Sequence, residues 1–132
     1  MSKVLILTHS TLAGAMYKTG ELICGTNQNV SYIDMPKDLN IGEYKKAVEQ
    51  IVDKSDDGVL IITDLLGGSP FIISSNIVRD KWDKVELVTG CNMAMIITAI
   101  QNVDDLSIEE LKKEVLKAGK DGIVDIKERM SK

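Results

Sequence analysis

The stretch VLILTHSTLAG, residues 4–14, is the part of this sequence from which the architecture can be read. Its first half, residues 4–8, is a continuous apolar run, which is typical of a strand covered on both faces. Its second half becomes small and polar around His9, the single histidine of the chain, before helical spacing begins at Leu12. The stretch therefore predicts a buried strand that surfaces and turns directly into a helix, with His9 at the turn.

The same alternation of strand and helix patterns continues along the chain. Further strands are predicted at 30–35, 59–63 and 85–89, and helices at 12–25, 41–53, 69–79, 93–101 and 107–117, followed by a last short strand at 123–126. Buried-type strands with short connections predict an α/β fold, an open and mostly parallel doubly wound sheet with helices on both faces. A flavodoxin-like strand order, 2-1-3-4, would make the first and third strands neighbours.

Two of the predicted helices start with specific signals. Ser69 followed by Pro70 is typical of an N-cap and a first helical position. Ser107 opens a capping box with Glu110.

Composition limits the classes of protein that this chain can belong to. Its 132 residues, 44% apolar and 27% charged, predict one globular domain that spans residues 1–132. A net charge of −4, with lysines scattered among acids, argues against a nucleic-acid partner. We see no signal peptide and no apolar run near the roughly 18 residues that a membrane span needs, so we expect a cytoplasmic protein. Cys24 and Cys91 have no metal-site spacing and are expected to be small buried side chains; no metal and no cofactor is predicted.

Polar and small residues follow three of the predicted strands, where ligands bind in open parallel sheets. They lie at positions 8–11, 64–69 and 89–92. With the strand order above, His9 and Asp64 would lie side by side. A carboxylate that accepts a hydrogen bond from one imidazole nitrogen leaves the other nitrogen free and stabilises positive charge on the ring, which makes the histidine a nucleophile. Helices that start near Leu12, Ser69 and Asn92 would present N–H groups to a phosphoryl group.

Other interpretations of these residues are open at this point. A lone histidine at a strand end can be a packing or capping residue, and Asp64 can cap a turn. The loop at 8–11 could hold the phosphate of FMN in a flavodoxin-like module, although aromatic residues are only 4% of the chain. A receiver domain would carry an acidic pair after the first strand, where this chain has His9 and Ser10. A scaffolding role would leave the convergence of His9, Asp64 and Ser69 unexplained.

Three segments together carry a family resemblance: THS after the first strand, DLLGGSPF after the third and TGCNMAM after the fourth. At these separations they resemble the IIA component of the mannose-type (mannose/fructose/sorbose) sugar phosphotransferase system. The resemblance implies that His9 is phosphorylated, that Asp64 is its hydrogen-bonding partner and that Ser69 lies near the phosphoryl group. Ser10, Gly67 and Gly68 are the other expected phosphoryl-binding residues.

The sequence departs from the family pattern at three positions. The family usually has glycine in place of Ser10, often asparagine in place of Ile72 and often proline in place of Ala94. None of these changes removes a group that the chemistry needs, but they leave the subfamily and the sugar open. The phosphotransferase subunit of dihydroxyacetone kinases, whose first loop commonly reads SHS, is the second candidate; its later glycine-rich loop lacks GGSPF.

The resemblance also implies partners. The small phosphocarrier protein HPr would phosphorylate His9, and a separate IIB component would take the phosphoryl group to a sugar that enters through a membrane IIC/IID permease. Apolar residues near the loops could form a docking ring for these two proteins; we call Leu12, Leu65, Leu66, Phe71 and Met93 the apolar ring. A lone final strand suggests a homodimer in which that strand is exchanged, since an exposed sheet edge needs covering.

Overall fold

A computed structural model describes residues 1–131 and contains one parallel four-stranded sheet. The strand order is β2-β1-β3-β4, as predicted. The strands are β1 (Lys3–His9), β2 (Val30–Met35), β3 (Val59–Thr63) and β4 (Val85–Val88).

Helices cover both faces of the sheet, because side chains on successive strand residues point to opposite faces. Val4 and Ile6 of β1 belong to a buried cluster with residues of the first, fourth and fifth helices, whereas Leu5 and Leu7 belong to a second cluster with the second and third. The helices are α1 (Leu12–Cys24), α2 (Ile41–Asp53), α3 (Ser69–Asp80), α4 (Met93–Asn102), α5 (Ile108–Asp121) and α6 (Ile126–Met130).

The register of the sheet determines which loop residues meet. Leu7 of β1 pairs with Thr63 of β3, so β1 extends beyond its last pair with β3 and carries His9 to the carboxyl edge. On its other side His9 pairs with Met35 at the end of β2. The residue after Thr63 is Asp64, which therefore lies at the same edge as His9.

The predicted final strand at 123–126 is wrong for the single chain. Residues 123–125 have no regular structure, and α6 begins at Ile126 with the Asp125 side chain accepting a hydrogen bond from the Glu128 N–H. Residues 121–131 are all exposed, so no sheet edge pairs with them, and the local N-cap favours a helical turn instead. Exchange of this segment between two copies stays a prediction.

Two helix ends also differ from the prediction. Gly68, not Ser69, is the N-cap residue of α3; Ser69 is the first helical residue, and Pro70 lies in the first turn as predicted. Helix α5 continues to Asp121, past the predicted end at residue 117, and a Lys117–Asp121 ion pair spans its last turn. The capping box of Ser107 and Glu110 is confirmed.

Candidate active site

His9 and Asp64 form a direct hydrogen-bonded pair at the carboxyl edge of the sheet. Asp64 Oδ2 lies 2.9 Å from His9 Nδ1 and also accepts the backbone N–H of His9 at 3.1 Å. Asp64 Oδ1 accepts the N–H of Leu65 at 2.9 Å. Because an ionised carboxylate can only accept hydrogen bonds, Nδ1 carries the proton and the lone pair of neutral His9 lies on Nε2.

The surroundings of Asp64 keep its side chain ionised. Burial raises the pKa of Asp64, but the hydrogen bonds from the His9 side chain, the His9 backbone and Leu65 outweigh it, so the pKa lies below its ordinary value. The Asp64 side chain is 12% exposed, whereas the His9 side chain is 43% exposed. The pair therefore places a shielded negative charge behind an imidazole that an incoming molecule can reach.

Gly68 lies against the imidazole ring of His9. A Cβ atom at Gly68 would lie 2.5 Å from His9 Cε1 and 3.1 Å from Nε2. Only glycine leaves the ring where it is, so the second glycine of the GGSP motif is required by contact with His9 rather than by its backbone, whose φ of −75° suits any residue. The first glycine, Gly67, has a φ of +87° and is required by its conformation instead.

The start of α3 beside this ring is suited to hold an anion. No side chain caps the α3 N-terminus, and the first N–H groups of a helix have no partner within the helix. These groups and the positive end of the helix dipole favour negative charge. Exposed Gly67 and Ser69 leave this helix start open to an incoming group.

The other two helix starts do not present free N–H groups as fully as predicted. Asp34, at the end of β2, accepts the N–H of Gly14 in the first turn of α1 at 2.9 Å. The Asn92 side chain accepts the N–H of Met95 and caps α4. Sequence reasoning missed Asp34; its signal was an acidic residue next to the end of a predicted strand, at the same sheet edge as His9.

Ser10 is the one non-glycine residue with a positive φ, 53°, within residues 1–131. Its backbone is bonded in both directions to Met35, N–H to O at 2.9 Å and O from N–H at 3.0 Å. This short antiparallel bridge turns the chain out of β1 and into α1. The left-handed conformation gives a physical reason why glycine is suited to this position.

The apolar ring is only partly exposed. Leu65 and Leu66, next to Asp64, are 59% and 77% exposed, and Leu12 is exposed at the start of α1. Phe71 is half-buried, and Met93 is half-buried against the core cluster. Three leucines therefore surround the site as free apolar surface, while Met93 contributes to the core.

Both cysteines are half-buried and pack against a core cluster rather than lying fully inside it. Burial, and then the charge of Asp64, raises the pKa of the Cys91 thiol to about 12, so Cys91 is not a thiolate at neutral pH. Across residues 1–131 there is no group of three potential metal ligands. The same residues contain no helix with the length and hydropathy of a membrane span.

Fold and site together define an α/β protein with a parallel sheet and a carboxylate-paired histidine at its carboxyl edge. The chain belongs to the family of PTS system fructose IIA components, whose profile matches residues 3–116. The resemblance to mannose-type IIA components, noted above from three loop segments, is thereby confirmed.

Individual relatives agree with this assignment. The chain is 33% identical over 127 residues to the PTS system mannose-specific EIIAB component of Escherichia coli, and it spans 39% of that longer protein. It is 26% identical over 130 residues to the PTS system sorbose-specific EIIA component of Lacticaseibacillus casei, 94% of whose length is covered. The crystal structure of phosphotransferase system component EIIA from Streptococcus agalactiae superposes with a TM-score of 0.89 at 27% identity, covering 96% of this chain and 98% of the other.

Proposed function

We propose that this chain is a phosphoryl carrier of a phosphoenolpyruvate-dependent sugar phosphotransferase system, acting in the cytoplasm. His9 accepts a phosphoryl group from phosphorylated HPr and passes it to a IIB component, which serves sugar uptake through a IIC/IID permease. The observation that carries the proposal is the 2.9 Å contact between His9 Nδ1 and Asp64 Oδ2, which leaves Nε2 as the free nucleophile.

The transfer step follows from this geometry. The Nε2 lone pair attacks the phosphorus atom, a bond from Nε2 to phosphorus forms, and the bond from phosphorus to HPr breaks, with its electron pair leaving to HPr. Positive charge develops on the imidazole and is stabilised by the Asp64 carboxylate, which keeps its hydrogen bond to Nδ1. Transfer to IIB is the same step in reverse, with a group of IIB as the nucleophile.

The phosphoryl oxygens are held by the start of α3. Gly68 lies closest to Nε2, so a group on this nitrogen sits next to the residues Gly67, Gly68 and Ser69. Helix N–H groups replace basic side chains here. Ser10, which follows His9 and is exposed, contributes its hydroxyl from the opposite side of the loop.

The two protein partners use the same open surface in turn. A carrier must release each partner after transfer, which suits a shallow site with a few exposed apolar contacts. Leu12, Leu65 and Leu66 supply these contacts around His9.

A homodimer is part of the proposal. The C-terminal segment exposes Ile123, Ile126 and Met130, of which Ile123 is 80% exposed. A second copy that packs against this segment would remove this apolar surface from water. Light scattering coupled to gel filtration is expected to give twice the chain mass of 14.5 kDa, and a monomer at micromolar concentration would contradict this part.

Phosphorylation with radiolabelled phosphoenolpyruvate, enzyme I and HPr tests the function directly. The wild type is expected to take up label that is acid-labile and base-stable, as phosphohistidine is, and to lose it when IIB is added. His9→Ala should take up none, and because His9 is the only histidine, the label can be assigned without mapping. Circular dichroism of His9→Ala controls for folding. A folded wild type that stays unlabelled beside active HPr would overturn the proposal.

A further inference from the structure

Within residues 1–131, the hydroxyl of Tyr44 is the one buried side-chain polar atom without a hydrogen-bond partner. Tyr44 is 2% exposed, so the group receives no help from bulk water. A buried unpaired donor lowers stability, and phenylalanine would fill the same space without that cost. The hydroxyl therefore calls for a partner in the working protein.

Tyr44 lies below the His9–Asp64 pair. It stands in the first turn of α2 and belongs to the same buried cluster as Leu7 and Ile61. Leu7 precedes His9 by two residues on β1, so the two side chains point to the same face of the sheet. Burial, and then the charges of Asp64 and Asp34, raise the pKa of Tyr44, which shows that the phenol is protonated and within electrostatic reach of both carboxylates.

Asp64 has room for one more donor. The two oxygens of a carboxylate offer about four acceptor positions. Three are taken, by the backbone N–H of His9, by His9 Nδ1 and by the N–H of Leu65. Asp34 is the less suitable partner, because it lies with Gly14 and Tyr32 on the α1 side of the sheet, opposite to Tyr44.

We propose that Tyr44 is a positioning residue for this site, whose hydroxyl donates through one bridging water molecule to the acceptor position that His9 and Leu65 leave open on Asp64. A water-mediated bond is the fitting form, since phenol and carboxylate are not in direct hydrogen-bond contact. Held from behind, the carboxylate stays aimed at Nδ1 and keeps the proton there. The effect on transfer depends on the proposed function, whereas the effect on the imidazole does not.

Tyr44→Phe tests the proposal, with Tyr17→Phe as the matched control. The Tyr17 hydroxyl is bonded to Glu21 on α1 and takes no part in the site. Nitrogen-15 NMR of the single histidine reports the fraction of neutral His9 with the proton on Nδ1. We expect Tyr44→Phe to lower this fraction, to slow phosphorylation by about fivefold and to lower the melting temperature, and Tyr17→Phe to leave the fraction and the rate unchanged.

A purely structural tyrosine gives the opposite result. Removing an unpaired hydroxyl would raise the melting temperature and leave the His9 spectrum unchanged, and this outcome overturns the proposal. If the wild type takes up no label, the carrier function fails, but the spectrum still tests Tyr44. If Tyr44→Phe does not fold, a high-resolution crystal structure of the wild type decides: a water bonded to both Tyr44 Oη and Asp64 supports the proposal, and its absence refutes it.

Discussion

Gly68→Ala is the substitution whose effect on His9 can be worked out most directly. The backbone at Gly68 has a φ of −75°, so alanine causes no conformational strain there. All of its effect must come from the new methyl group, which would lie 2.5 Å from His9 Cε1. The substitution therefore displaces the imidazole without changing any polar group of the site.

The size of the displacement sets the size of the effect. Ordinary van der Waals contact of a Cβ atom begins near 3.4 Å, so the ring must move by about 0.9 Å. A shift of that size lengthens the 2.9 Å bond between Nδ1 and Asp64 beyond hydrogen-bond distance. A misplacement of about 1 Å in a reacting group costs roughly 100-fold in rate. We expect Gly68→Ala to be phosphorylated about 100-fold more slowly than the wild type.

The assay is single-turnover labelling from phosphorylated HPr, sampled by rapid quench. Gly25→Ala is the matched control, because Gly25 has a φ of +87°, has no atom near its missing Cβ and lies at the end of α1 away from the site. This control should lose about 1 kcal/mol of stability and keep the wild-type rate.

A normal labelling rate for Gly68→Ala would refute this reasoning. It would mean that the ring can tilt away from the methyl group and keep its bond to Asp64, so that Gly68 is not what positions His9. A loss of rate with an unchanged His9 nitrogen-15 spectrum would also contradict it, since the predicted loss comes through movement of the ring.

Four further outcomes are expected. Asp64→Asn should slow labelling of His9 by about 100-fold, because the charge that stabilises the imidazolium is lost; a rate within threefold of the wild type would exclude that role. The stability contributed by Asp64 should be present above the ordinary aspartate pKa of about 3.9 and be lost as the pH falls through the lower pKa of the folded state, so acid titration of unfolding should lose this component in Asp64→Asn. Ser10→Gly should raise the free energy of unfolding by about 0.5 kcal/mol in urea titrations, since φ is 53° there, and a decrease would show that the serine side chain stabilises the loop. Leu66→Asp should weaken transfer from HPr or to IIB about tenfold, whereas Leu66 left intact beside Leu22→Asp, an equally exposed leucine outside the apolar ring, should transfer normally; equal effects would remove Leu66 from the docking surface.

Most of the fold could be predicted because its signals are local and repeated. Each strand of the sheet is a short apolar run with turn residues behind it, and each helix shows its own spacing and caps. The proximity of His9 and Asp64 followed from one additional rule, that loops at the carboxyl ends of neighbouring parallel strands meet. The failures lie where two patterns compete over a few residues. Residues 123–126 alternate like a strand, yet Asp125 caps a helical turn because no sheet edge is available to the single chain.

The sequence by itself determined the order of strands and helices, the position of the one histidine at a strand end and the glycine-rich start of α3, because these features depend on residues close together in the chain. Only the tertiary structure decided which imidazole nitrogen carries the proton, that Gly68 touches the ring and that the Tyr44 hydroxyl lies unpaired near Asp64. Each of these depends on distances of a few ångströms between segments far apart in sequence. Such distances arise from the packing of the whole core, and no local pattern encodes them.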